Sequence, residues 1–195
     1  MAGILNLGAV KRSVVVLLGF QVLLWLVFGI SYMLNRGSWV EVAAVEASTA
    51  AVGGWWSTFF FILLSSSFIC VLLAGGNILV RFGSITPGLL VLLLQAVTIG
   101  WMAGSNGFEV PFLSVGAANL QFLKIGLWET SAYALICAVT LPKSLLVADT
   151  FPAKQWSETR RLRDIALSPA ETGIVVLGCL MLIAAALIET NAILG

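Results

Sequence analysis

Long apolar runs, broken by short polar stretches, dominate the chain. About 20 consecutive apolar residues, rising about 1.5 Å each, cross a hydrocarbon core about 30 Å thick. Five stretches reach that length, roughly residues 14–34, 55–74, 84–103, 119–140 and 172–191. The pattern predicts an all-α fold: a polytopic transmembrane helix bundle of five spans, forming a single transmembrane domain over 1–195 with one longer loop at 141–171. The first run exceeds the roughly 7–15 apolar residues of a signal-peptide core, so it reads as a retained span. Thr86-Pro87-Gly88 opens the third span, where proline in the first helical turn sacrifices no hydrogen bond.

Composition says what surrounds these helices. The chain is 60% hydrophobic and 10% charged, with a mean hydropathy of +1.06. A soluble domain carries about 25% charged residues, so the solvent for most of this surface is lipid. A net charge of +1, with no basic stripe, gives no sign of nucleic-acid binding. Cys70, Cys137 and Cys179 all fall inside apolar runs, with no C-x-x-C. They read as small buried residues, not as a disulfide framework or a metal site.

The basic residues set an orientation. With the N-terminus in the cytoplasm, Lys11, Arg12, Arg81, Lys143, Lys154, Arg160, Arg161 and Arg163 lie inside. Arg36 lies clearly outside, and Lys124 sits at the outer end of the fourth span. The positive-inside rule then predicts N-terminus in and C-terminus out, as a multi-pass protein of a cytoplasmic-type membrane. In the first outer loop, which holds Glu41 and Glu46, residues 39–51 suit a short surface helix. In the second, Asn106-Gly107, Glu109 and Pro111 carry turn chemistry, and Phe108, Phe112 and Leu113 are placed to dip into the interface. Trp55, Trp56 and Trp101 sit near span ends, where indole rings favour the headgroup level. In the inner loop, Ser157 is a candidate N-cap for a short amphipathic helix carrying Arg160, Arg161 and Arg163. Such a helix either anchors on anionic lipid or docks a cytoplasmic partner.

A carboxylate inside hydrocarbon costs about 2.5–3.5 kcal/mol on insertion scales, so it should face protein or water. Glu129 lies ten residues into the fourth span, about 15 Å by helical rise and near mid-membrane. Its bland role is a hydrogen bond inside the bundle; its sharper role is a substrate or proton path. Glu189 lies 17 residues into the fifth span, about 26 Å deep, where it can snorkel outward. Gln95, about 16 Å into the third span, shares the depth of Glu129 and is expected to bond to it across helices. Asn77, after Gly75-Gly76, reads as a cap or turn residue. Gly100 and Gly104 form a G-x-x-x-G that permits close backbone approach, and Gly126 is a further helix-packing candidate.

The absences exclude several chemistries. No histidine is present, which removes Ser-His and Cys-His nucleophilic pairs and the H-E-x-x-H zinc motif. No P-loop exists. Both aspartates, Asp149 and Asp164, fall in a loop, where they do not suit an intramembrane aspartyl protease. No catalytic residue, metal ligand or cofactor is expected.

From residue 59 to residue 194 the order of features resembles the stage II sporulation protein M family. Gly76-Asn77 closes one span, and Gly83 and Pro87-Gly88 open the next. Gln95-Ala96-Val97-Thr98-Ile99-Gly100 stands where the family has Asn-Gly-x-x-x-Gly, and Ile125-Gly126-Leu127-Trp128-Glu129 where it has His-Gly-x-x-Glu. Ala184-Ala185-Ala186-Leu187-Ile188-Glu189 matches an Ala-rich last span ending in Glu. The histidine is replaced by Ile125 and the Asn-Gly by Gln95-Ala96, so the chain resembles a divergent member. The resemblance implies a membrane scaffold, which in spore formers joins a peptidoglycan hydrolase to its partner during engulfment.

Two functions follow as expectations. One is a non-enzymatic scaffold or assembly subunit of a membrane complex, with membrane lipid and other membrane or cytoplasmic proteins as partners. The other is a permease-like transporter subunit working with a separate ATPase, with Glu129 and Gln95 lining the path. Both allow a homodimer with the G-x-x-x-G helix or the Ala-rich span at the seam.

Overall fold

The computed structural model describes residues 2–39, 53–108 and 111–194. The predicted surface helix beyond Trp39, with Glu41 and Glu46, and the turn residue Glu109 lie outside the described residues. A short α1 (Ala2–Leu5) leads into α2 (Ala9–Leu34). Then come α3 (Trp55–Leu79), α4 (Pro87–Ser105), α5 (Val115–Gln121), α6 (Leu127–Thr140) and α7 (Pro169–Leu194). A π-helical turn, Phe122–Gly126, joins α5 to α6, making Val115–Thr140 one continuous helix. Five helices are long and apolar enough to cross a membrane.

Helix bounds run past the sequence expectations at several ends. Lys11 and Arg12 fall inside α2 instead of before it. Gly75-Gly76 lie within α3, which continues to Leu79, and at Gly76 neighbouring backbone packs directly against the helix. A Cβ on Gly76 would stand 2.5 Å from the Gly88 nitrogen. Thr86 caps α4, its hydroxyl accepting from Leu89 N at 3.1 Å, with Pro87 in the first turn.

The bundle is built around α6. Its span has the lowest mean hydropathy of the five, 1.3 against 1.7–2.5, yet 61% of its most apolar window is buried against 22–28% elsewhere. Every residue from Thr130 to Thr140 is buried, and α2, α3 and α7 surround it. A helix enclosed by other helices has no lipid contact to satisfy. Small and hydroxyl-bearing residues serve it better than bulk, because they let neighbouring backbones close in.

The most extensive helix pair is α2 on α4. The buried positions of α4 are Gly88, Leu92, Ala96, Gly100 and Gly104, a four-residue spacing that makes one stripe. A Cβ on Gly100 would meet the Leu24 carbonyl oxygen at 2.5 Å, and one on Gly104 would meet that of Phe28 at the same distance. The G-x-x-x-G therefore holds two helices of one chain together. Ala185 and Ala186 are likewise buried within the bundle. Both seams expected for a homodimer are thus occupied internally.

One end carries a three-stranded sheet, absent from the all-α expectation. Strand β1 (Val80–Phe82) pairs parallel with β2 (Leu146–Ala148), with Val80 opposite Leu146. Strand β3 (Ser157–Glu158) pairs antiparallel with β2. The helix predicted from Ser157 does not form. An isolated helix of two turns is marginal, whereas the edge of β2 offers backbone partners, and Thr159 N adds a bond to Leu145 O at 2.8 Å. Only Leu162–Asp164 makes a 3-10 turn.

Candidate functional site

A cavity of about 320 Å³ lies between α2, α4, α7 and the helix from Val115 to Thr140, toward the end away from the sheet. Its wall is mainly aromatic and aliphatic, with Trp25, Phe28, Phe108, Phe112 and Phe122 as the large rings. Two carboxylates, Glu129 and Glu189, open onto it. Among its lining residues there is no lysine or arginine.

The π-helical turn shapes this wall. Such one-turn bulges occur often at functional sites because they displace side chains from the regular helical register. Here Phe122, at the start of the bulge, packs edge-to-face on Trp25 with centroids 5.3 Å apart. A Cβ on Gly126 would stand 2.7 Å from the Phe122 ring. Gly126 therefore makes room for a ring of its own turn. Across the cavity mouth, Asn106 takes a left-handed backbone (φ 54°) that ends α4. Its side chain accepts from Phe112 N at 2.8 Å and donates to Phe112 O at 3.0 Å. This clamp holds Phe112 against Phe108, centroids 5.1 Å apart, so both rings serve the cavity wall.

Glu129 sits in the first turn of α6. Its Oε1 accepts from Ser66 Oγ of α3 at 2.6 Å and from the Tyr133 hydroxyl. Gln95 is not its partner. Equal depth does not fix the direction a residue faces, and the buried stripe of α4 passes through Ala96 toward α2. Gln95 is half-buried and outside the cavity lining. The glutamine that does reach α6 is Gln21 of α2, whose Nε2 donates to Thr130 Oγ1 at 3.3 Å. Glu189 is half-buried and lines the same cavity as Glu129.

The sheet end holds a different kind of polar site. Arg12 is buried, with Nε donating to Ala138 O at 2.6 Å and Nη1 to Leu7 O at 2.9 Å. Its Nη2 pairs with Glu171 Oε1 at 3.0 Å, while Lys143 Nζ pairs with Glu171 Oε2 at 2.9 Å. Ser168 and Glu171 also form a reciprocal capping box at the start of α7. Ser168 N donates to Glu171 Oε2 at 2.9 Å, and Glu171 N to Ser168 Oγ at 3.3 Å. Sequence reasoning passed over this clasp, although Ser168-Pro169-Ala170-Glu171 carries the S-x-x-E signature with proline after the cap.

Asn77 is an interior hub and not a cap. Fully buried, it donates to Cys137 O at 3.1 Å and Thr140 Oγ1 at 2.8 Å, and accepts from Thr86 Oγ1. Ser144 Oγ donates to its carbonyl at 2.8 Å. It ties α3, α4 and α6 to the start of the sheet loop. Of the cysteines, Cys70 and Cys137 are buried, but Cys179 is exposed on the bundle surface, contrary to expectation.

The sheet's outer face is aromatic and basic. Phe82 packs on Phe151 and Trp156, centroids 5.2 and 5.3 Å apart, and Phe151 is 80% exposed. Arg160 is half-buried, and Arg161 and Arg163 are exposed. Arg161 lies 3.7 Å from Glu158, and Arg163 lies 3.7 Å from Asp164. Among the described residues no group of three or more His, Cys, Asp or Glu side chains converges on a metal-sized site. No known protein family, curated protein or solved structure matches the chain.

Proposed function

We propose that the chain is a non-enzymatic assembly subunit of a protein complex in a prokaryotic cytoplasmic membrane, of the kind its resemblance to the stage II sporulation protein M family implies. The observation that carries this reading is the sheet end, where Phe151, Trp156 and Leu162 are exposed beside Arg161 and Arg163. Exposed aromatic and basic groups together suit a protein partner at the membrane surface. The orientation supporting it has the N-terminus and the sheet inside and the C-terminus outside. Arg81, Lys143, Lys154, Arg160, Arg161 and Arg163 all belong to the sheet and its loops, as the positive-inside rule asks. An impermeant thiol reagent should then reach Ser157→Cys only after the cells are opened.

The test is purification of the full chain from its native membrane in mild detergent. A fixed partner should co-purify, and Phe151→Ala with Trp156→Ala should release it without reducing membrane insertion. Recovery of the isolated chain alone would count against the assembly role. A second reading, a permease-like subunit driven by a separate ATPase, is favoured by one observation, the cavity that holds Glu129 and Glu189. There Glu129→Gln should change flux or ATPase activity with assembly intact.

A further inference from the structure

The cavity has a composition that selects its occupant. Two carboxylates share one mostly apolar space, and none of its lining residues carries positive charge. The two basic residues nearest in sequence are engaged elsewhere or turned away: Arg36 lies over the Tyr32 ring at 5.9 Å, and Lys124 is exposed on the outside of the π-helical turn. An anion has no donor cluster here. A divalent metal ion needs about six oxygen ligands, and only two carboxylates line this mainly apolar wall. Aromatic faces do attract a weakly hydrated organic cation, and carboxylates at the same wall complete the match.

We propose that this cavity binds an amphipathic organic cation, a substituted ammonium. Glu129 and Glu189 hold the charge, and Trp25, Phe28 and Phe122 hold the apolar body. Ser66 and Tyr133 fix one oxygen of Glu129, so that carboxylate is oriented before the ligand arrives, which reduces the ordering cost of binding. The site does not depend on the assembly role. It gives the permease reading a substrate class, and a binding measurement fails or succeeds independently of partner recovery.

The experiment uses the full chain in nanodiscs of zwitterionic lipid, with radiolabelled benzyltrimethylammonium as the probe and empty discs as background. Saturable binding is expected at one probe per chain. The neutral carbon isostere, neopentylbenzene, should compete at least about tenfold less well, the equivalent of a single lost charge contact. Glu189→Gln and Glu129→Gln should each weaken binding by about tenfold or more, Trp25→Leu should weaken it as well, and Glu158→Gln on the sheet should not. Glu189 makes no side-chain hydrogen bond within the described residues, so its variant keeps the fold and remains informative if Glu129→Gln does not. Binding no greater than in empty discs, equal competition by neopentylbenzene, or indifference to both glutamine variants would overturn the proposal.

Discussion

Two carboxylate sites sit apart in the same bundle, one at the sheet end and one at the cavity, and they are satisfied in opposite ways. Glu171 receives Arg12, Lys143 and the Ser168 amide, so each oxygen has a charged donor. Glu129 receives only two hydroxyls, both on one oxygen, and faces a cavity shared with Glu189. The first site is closed electrostatically and joins the starts of α2 and α7 to the end of α6. The second is left incomplete by the protein itself. Completed charge marks a structural clasp, and incomplete charge in a shaped cavity marks a place for something else.

The largest effect should come from breaking the closed site. Glu171→Leu leaves two cations facing each other without their anion, and removing one partner of a buried pair costs about 3–5 kcal/mol. Unfolding of the purified chain in increasing SDS should show that loss. Adding Arg12→Met should recover part of it, because an apolar replacement of both partners leaves one fewer uncompensated charge. No recovery would mean that the Arg12 bonds to Leu7 and Ala138 matter more than the pair.

Helix α2 connects the two sites, since it carries Arg12 at one end and Trp25 and Phe28 at the other. Gly100→Leu should therefore disturb both. The added side chain meets the backbone of α2 at Leu24, and overpacking of this sort costs about 1–3 kcal/mol. Gly29→Leu, with open space around it, should cost less than about 0.5 kcal/mol in the same titration. Equal effects would show that α2 and α4 do not meet as closely as described.

Asn77→Leu should act on one end only. It removes bonds to Cys137, Thr140 and Thr86, and three such bonds between membrane helices, at about 0.6 kcal/mol each, are together worth about 2 kcal/mol. SDS resistance should fall by that amount. Fluorescence of Trp25, in a chain whose other tryptophans are replaced by phenylalanine, should not change, because the cavity is distant from this hub.

The spans were legible because lipid selects apolarity along a whole helix whatever direction each residue faces. Facing direction was not. Gln21 and Gln95 are the same residue type in similar apolar runs, yet it is Gln21 that reaches α6. Glu189 lies near the end of α7, yet it lines the cavity. The low hydropathy of residues 115–140 did signal a helix shielded from lipid. Sequence reasoning read it as isolated polar residues, and so missed that one helix is enclosed by the rest. Ser66 carried a faint signal, a run of three serines at mid-depth in α3. The sheet was hidden because β1 and β2 are three residues each and separated by two whole helices.

Among the polar substitutions, Glu129→Gln should have the smallest effect on stability, and that smallness sharpens the contrast with Glu171. A glutamine side chain keeps a carbonyl oxygen where Oε1 stands, able to accept from both Ser66 and Tyr133. Only the charge is lost, and no cation from the protein lines this cavity to miss it. The change in SDS resistance should stay under about 1 kcal/mol, the scale of one hydrogen bond between membrane helices. A loss as large as that of Glu171→Leu would mean that the protein does depend on this charge for its fold, and the two sites would then be alike. A small loss in stability with a large loss in probe binding separates them, because a charge that contributes nothing to the fold but decides what enters the cavity is a charge presented to a ligand.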